Sequence, residues 1–270
     1  MSIRLEDLPC VCISLTRRSD RWTRFKEQPE IRSLPNLRRF EAVDGKKIDL
    51  LTDKRISAFT KKNILTHSRR SHHELDSIGG VGCALSHIGV WREFLDSGSP
   101  YMLVFEDDAI VYPGLVTSVN AALPKDFDLV VLTRAYTAQS PIPADGFERA
   151  SNFVLAHCYI ISRKAAQIFY DEAIPITGHI DLYMSTQCAL HKLKLYCSKT
   201  LAAPQFQQGS DIVTKPRCYI CDVPTDYEKS MALINQWDLT LARSSEILLG
   251  VVVFAWISHQ MFSWIRGASK

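Results

Sequence analysis

The chain has 270 residues, of which 46% are hydrophobic and 23% charged, with 12 Gly and 12 Pro. That balance is globular, fits one or two domains, and excludes collagen-like and low-complexity classes. A formal net charge of +3 excludes a dedicated nucleic-acid binder, whose affinity comes from a concentrated basic surface.

The first eight residues, MSIRLEDL, carry two acids and no long apolar core, so they do not read as a secretory signal. Cys10–Leu15 is a short apolar run with β-branched residues and predicts a buried strand. Ser19 and Asp20 are cap residues for a helix starting near Arg21, with Trp22 and Phe25 on one face and Pro29 and Pro35 beyond its end. Phe40–Val43 predicts a second strand, closed by Asp44-Gly45. Residues 46–78 are polar and lack periodicity, which predicts an excursion over the surface, in part helical. His67, His72 and His73 fall within it as surface histidines.

Gly79-Gly80-Val81-Gly82 opens a helix expected over 82–96, and Gly98 and Pro100 stop it. Strands are predicted at Tyr101–Phe105, Phe127–Thr133, Phe153–Ile161 and Leu195–Cys197. Helices are predicted from Ser162 to about Ala173 and from about Asp181 to His191. Strands alternating with helices give an α/β class with a mostly parallel central sheet.

Residues 247–265 (ILLGVVVFAWISHQMFSWI) carry no formal charge. As a helix they reach about 28 Å, near the hydrocarbon thickness of a bilayer. A C-terminal hydrophobic helix over 246–266 is therefore expected, as a membrane anchor, an interfacial helix, or a helix docked on its own domain; Trp256 and Trp264 suit the first two. Residues 1–240 are expected to form a single domain. The location expected is cytoplasmic, with membrane association through this C-terminus. The eight cysteines are too dilute for a disulfide scaffold, and most sit in apolar runs as core thiols do. Cys218-Tyr-Ile-Cys221 has zinc-knuckle or disulfide spacing, but no second well-spaced pair accompanies it.

Glu106-Asp107-Asp108 is the sharpest chemical feature. Three carboxylates directly after a buried strand repel one another, and the carboxyl ends of α/β strands are where ligands bind. A hard divalent cation, Mn²⁺ or Mg²⁺, relieves that repulsion; the alternative is a solvated acidic loop. In an extended segment Glu106 and Asp108 share a face while Asp107 looks away. Arg17, Arg18, Arg21 and Arg24 follow the first strand, either to meet a phosphate or nucleotide or as an exposed basic helix face. Ser86-His87 are adjacent on a helix and do not face each other, so a polar contact lining a cleft is expected rather than a nucleophile and its base. Asp181 is either a helix N-cap or a general base facing the cleft.

The stretches ISLTRRSDRW (13–22), FEAVDG (40–45), GGVGCALSHIGVW (79–91), YMLVFEDDAIV (101–111), HCYIISRKAA (157–166), DLYM (181–184) and PQFQQGSDI (204–212), in this order, resemble glycosyltransferase family 25. That family holds the lipopolysaccharide and collagen β-galactosyltransferases. The resemblance covers about residues 10–212 and does not extend to the hydrophobic tail. It implies a GT-A-like fold, a UDP-sugar donor with UDP-galactose the commonest, a divalent metal (Mn²⁺ or Mg²⁺), and inversion at the anomeric carbon. It further implies Asp108 as metal ligand, with Glu106 for metal or ribose. Leu15, Arg17, Arg21, Asp44, Gly45, Ser86, His87, Glu106 and Asp107 fall at the donor and Asp181 at the acceptor-side base. The acceptor is a hydroxyl on a glycan, glycolipid or protein. A non-catalytic, membrane-tethered module that binds a nucleotide sugar or glycan on the same fold is the alternative.

Overall fold

The structure, a computed structural model, describes residues 3–71, 73–134, 146–198 and 217–218. The chain divides into two units, Met1–Arg217 and Cys218–Lys270, and the first carries the elements below. They run β1 (Cys10–Ser14), α1 (Ser19–Lys26), α2 (Pro29–Arg32), β2 (Leu37–Glu41), α3 (Ala58–Thr66), β3 (Ser68–Arg69), α4 (Ile78–Asp96), β4 (Tyr101–Glu106) and α5 (Leu115–Ala122). Then come β5 (Leu129–Arg134), β6 (Phe147–Arg149), β7 (Cys158–Ser162), α6 (Arg163–Glu172), α7 (Ile180–Leu190) and β8 (Leu195–Ser198).

Seven strands form one sheet in the order β2-β1-β4-β7-β5-β8-β6. The α/β, GT-A-like class expected from the sequence holds, but the mostly parallel sheet does not. The pairs β1–β2, β1–β4 and β5–β8 are parallel, whereas β4–β7, β5–β7 and β6–β8 are antiparallel. The reason lies in the strand order: α5 carries the chain from β4 to β5 in the same direction but leaves a gap between them, and β7 fills that gap running opposite to both. The strand expected over 153–161 begins only at Cys158.

Each central strand is buried on both faces, and its alternate residues feed two cores. Val11, Ile13, Val104, Tyr159 and Ile161 pack under α4, α6 and α7 with Trp91, Phe94, Phe169 and Met184. Cys10, Cys12, Leu103, Phe105, Cys158 and Ile160 pack under α1, α2 and α5 with Phe25, Ile31 and Val119. The cysteines of β1, β7 and β8 are thus buried core residues, as their apolar runs implied.

The helix expected over 82–96 starts earlier, at Ile78, because the Ser77 hydroxyl accepts from Gly80 N and caps it. Its glycines lie inside the helix for a packing reason. A Cβ on Gly82 would sit 2.5 Å from Val43 O, and one on Gly45 would sit 2.3 Å from Ile78 O. The turn after β2 therefore lies directly against the first turns of α4. The 46–78 excursion is also more ordered than its polarity suggests. Ser57 caps α3, and the segment docks on the approach to α7: Ser57 N donates to Ile176 O (3.1 Å), Ile176 N to Arg55 O (2.7 Å) and His179 N to His73 O (3.4 Å).

The hydrophobic tail over 246–266 and the Cys218/Cys221 side chains lie outside the described residues. No helix among the described residues is long and apolar enough to cross a membrane. The expectations of a C-terminal hydrophobic helix and of membrane association through it therefore find no support among the described residues.

The close fit of α4 makes a direct prediction. Gly82→Ala is expected to lower the unfolding free energy by about 1–3 kcal/mol, because backbone must move to admit the methyl group. Gly89→Ala meets only the tip of the Phe40 ring. It gains helix propensity and is expected to stay within about 1 kcal/mol of the parent. Urea denaturation of the two variants checks the contrast.

Candidate active site

Parallel pairing of β1 with β2 and β4 sets three carboxyl ends side by side; Ile13 faces Glu106 and Ser14 faces Glu41. A cleft opens at this edge. Nine residues singled out from the sequence line it: Leu15, Arg17, Arg21, Asp44, Gly45, Ser86, Glu106, Asp107 and Asp108. Ile78, Gly79, Lys46 and Cys83 line it as well. His87 and Asp181 do not.

The acidic triplet divides differently from its strand alternation. β4 ends at Glu106, and Asp107 and Asp108 lie in a turn, so the period of two stops there. Arg21 Nη1 is 3.2 Å from Asp107 Oδ1 and 3.7 Å from Asp108 Oδ2, with all three side chains buried. Asp107 and Asp108 thus converge on one guanidinium, and Glu106 points elsewhere. Burial raises the Asp107 carboxyl above the usual aspartate range, against the opposing effect of Ser14 and Arg21. An acid raised in this way favours the fold below its unfolded value and loses that contribution as pH rises through its folded value.

Glu106 meets His87. The His87 ring is fully buried, with Nε2 3.2 Å from Glu106 Oε1 and Nδ1 2.9 Å from Tyr159 OH. Trp91 Nε1 donates to the same Tyr159 oxygen at 3.1 Å. An indole can only donate, so it occupies a lone pair of that oxygen. Burial pushes the Tyr159 phenol well up, so it keeps its proton. His87 Nδ1 is the acceptor in reach of that proton among the described residues. Nε2 then carries the imidazole proton and donates it to Glu106. Burial raises the Glu106 carboxyl, but the His87 hydrogen bond and the positive charge around it outweigh this and hold it below the usual glutamate range.

Arg17 Nε donates to Asp44 Oδ2 at 2.9 Å on the cleft wall. Burial raises the Asp44 carboxyl, while the bonds from Arg17 and from Lys46 N lower it on balance. Arg18, by contrast, turns to Asp20 on its own helix at 2.9 Å. Ser86 ties two elements together rather than acting on a ligand: it donates to Gly82 O (2.7 Å) and accepts from Val43 N (2.9 Å). Gly45 lines the cleft and is equally required by the close packing on α4.

Asp181 is not the cap of α7. His179 occupies that position, and Asp181 is the second helical residue. Its Oδ2 accepts from Leu155 N and its Oδ1 from Leu182 N, both at 2.8 Å. Its charge is felt in the cleft wall: burial, followed by the carboxylates of Glu106, Asp181 and Asp108, holds the Cys83 thiol well above its ordinary value.

Two donor sets for a metal share Glu106. One is the hard-oxygen pair expected from the sequence, Glu106 and Asp108. The other is Cys83, His87 and Glu106, whose ligand atoms lie within 4.8 Å of one another. Two carboxylates share the Arg21 guanidinium and Glu106 lines the same cleft, so negative charge is in surplus and a hard cation fits the oxygen set. The protonated Cys83 thiol suits it poorly. Sequence reasoning passed over Cys83, Trp91 and Tyr159. His87 and Trp91 are four residues apart on one helix, so that contact was open to a periodicity reading. Tyr159 reaches them only through sheet pairing.

The family profile described as glycosyltransferase family 25 (LPS biosynthesis protein) matches residues 8–184. Procollagen galactosyltransferase 1 of Danio rerio is 33% identical over 254 residues, covering 86% of this chain and 41% of that protein. Lacto-N-neotetraose biosynthesis glycosyltransferase LgtB of Neisseria meningitidis serogroup B is 34% identical over 122 residues, covering 38% of this chain and 44% of that protein. LgtE of Neisseria gonorrhoeae is 33% identical over 104 residues, covering 33% and 37%. The chain spans less than half the length of these curated relatives.

Replacing His87 by leucine removes the donor to Glu106 and the acceptor for Tyr159. Two polar groups then lose a partner, at a cost of about 1–3 kcal/mol each. Because the native Glu106 carboxyl is lowered, it contributes stability above its unfolded value and loses it as pH falls through the folded one. His87→Leu is therefore expected to be less stable near neutrality and to show a shallower fall in acid. Chemical denaturation across pH 3–7 reads both effects.

Proposed function

This chain belongs to glycosyltransferase family 25, and from that premise we propose that it transfers a hexose, galactose from UDP-galactose, to an acceptor hydroxyl with inversion at the anomeric carbon. The observation that carries the reading is the cleft at the ends of β1, β2 and β4, which two arginines and four carboxylates line together. A diphosphate needs positive charge, and Arg17, Arg21 and Lys46 stand in that wall. The acceptor is a glycan, glycolipid or protein, the classes to which the names of the family and its relatives point.

Asp108 and Glu106 are the residues that would hold Mn²⁺ or Mg²⁺. Such an ion, when bound, supplies Lewis-acid neutralisation of the diphosphate leaving group. The protein's own groups do the rest. His87 holds Glu106 ionised and turned toward the cleft. Arg21 restrains Asp107 and Asp108 and adds preorganised positive charge where the departing UDP accumulates negative charge. The anomeric carbon passes through an oxocarbenium-like state. Asp181 receives the acceptor proton: two backbone N–H groups fix its plane, and each oxygen keeps a lone pair for the incoming hydroxyl. Inversion requires that the acceptor attack from the face opposite the departing UDP.

The test is UDP release and product formation from UDP-galactose with Mn²⁺ over a panel of acceptors. Asp108→Asn is expected to lower kcat/KM by about 100-fold or more, in the range of losing a strong electrostatic contact. Asp181→Asn is expected to lower kcat by about 100–10,000-fold with little change in the KM for donor, as for loss of a general base. Binding of UDP-galactose without turnover on any acceptor favours the non-catalytic module instead.

A further inference from the structure

The five residues Phe153–His157 join the two chemically important regions of the site. His157 O accepts from Glu106 N (2.8 Å), Leu155 N donates to Asp181 Oδ2 (2.8 Å), and Phe153 N donates to Ser185 Oγ one turn along α7 (3.1 Å). Leu155, in the middle, has φ +71°, the left-handed region that favours glycine or asparagine over a branched side chain. The residue is 43% exposed, in a segment whose neighbours Phe153 and Ala156 are buried.

A leucine at such a position is unfavourable twice over, through backbone strain and through apolar surface left in water. Glycine would relieve both and keep the N–H that Asp181 needs. Strain of this kind persists where the surrounding structure enforces it, and it concentrates at ligand sites. The branched aliphatic side chain is carried on the residue whose N–H holds the Asp181 carboxylate, which has lone pairs to offer. Side by side, an aliphatic group and a hydrogen-bond acceptor match the two characters of a pyranose, whose ring has an apolar C–H face and hydroxyls at its rim.

We propose that Leu155 seats the acceptor sugar, covering the C–H face of a pyranose while Asp181 meets its hydroxyl. The proposal rests on the glycosyltransferase reading above and adds to it the acceptor class and a specificity-determining residue. An uncharged aliphatic contact favours a neutral sugar over a cationic hydroxylysyl side chain.

The experiment compares the parent with Leu155→Gly, Leu155→Ala and Leu155→Met. The acceptors are p-nitrophenyl β-glucoside, β-galactoside and β-N-acetylglucosaminide, with a hydroxylysine peptide alongside. Leu155→Gly and Leu155→Ala are expected to raise the KM for the best glycoside about fivefold or more, while the KM for UDP-galactose moves less than about twofold. Leu155→Met restores most of the loss. Thermal melting separates this from a packing role: Leu155→Gly relieves the left-handed strain and is expected to melt at or above the parent temperature. An unchanged glycoside KM in both truncations overturns the proposal, as does an effect confined to the hydroxylysine peptide. Should the parent turn over no donor, the activity reading fails by itself. Ligand-observed NMR of glycoside binding then decides: weaker binding to Leu155→Gly than to the parent upholds the seat, and equal binding or none to the parent overturns it.

Discussion

Three consecutive carboxylates at the end of a fully buried strand set the terms for everything around them. Left alone they repel one another and lose hydration, and the cost of a buried unpaired charge is several kcal/mol. The fold answers with two different partners on two sides of the sheet. Arg21, brought by α1 from beyond β1, takes Asp107 and Asp108. His87, brought by α4, takes Glu106 and is itself fixed by Tyr159 and Trp91. Each partner depends on a different core, so both packed faces of the sheet are needed to hold one loop.

The antiparallel strand β7 is what makes this arrangement possible. Lying between β4 and β5, it presents Tyr159 upward to His87 and, just before its start, His157 O to Glu106 N. An all-parallel sheet would place a strand start at that position and a loop from the opposite edge. Residues 153–157, just before β7, run along the site, where Leu155 N reaches Asp181. The 46–78 excursion contributes from the other side, since its backbone bonds to Ile176 and His179 fix the entry to α7.

Much of the site was legible in local sequence. Buried strand ends rich in charge mark a ligand edge, and the TRRSDR, Asp44-Gly45 and Glu106-Asp107-Asp108 stretches each follow such a strand. Seven of those residues line one cleft because parallel neighbours end on one edge. The conformation of the triplet was not legible, since strand alternation fails where the strand stops. Nor was the role of Ser86, whose bonds to Gly82 O and Val43 N depend on how closely two glycines allow α4 to approach a distant turn. The start of α4 was misplaced for the same reason: glycine lowers helix propensity locally, and tertiary contact overrides it.

What the sequence by itself determined is the composition of the site and its place at the carboxyl ends of the first strands. Residue type and distance from a buried run are local properties, and they survive any arrangement of the sheet. Only the tertiary structure decided which charges meet. The pairing of Arg21 with Asp107 and Asp108, of His87 with Glu106, and of Leu155 with Asp181 joins residues 86, 19 and 26 positions apart. Those contacts depend on strand order and direction, and the insertion of β7 between β4 and β5, antiparallel to both, is something that strand and helix counts do not reveal.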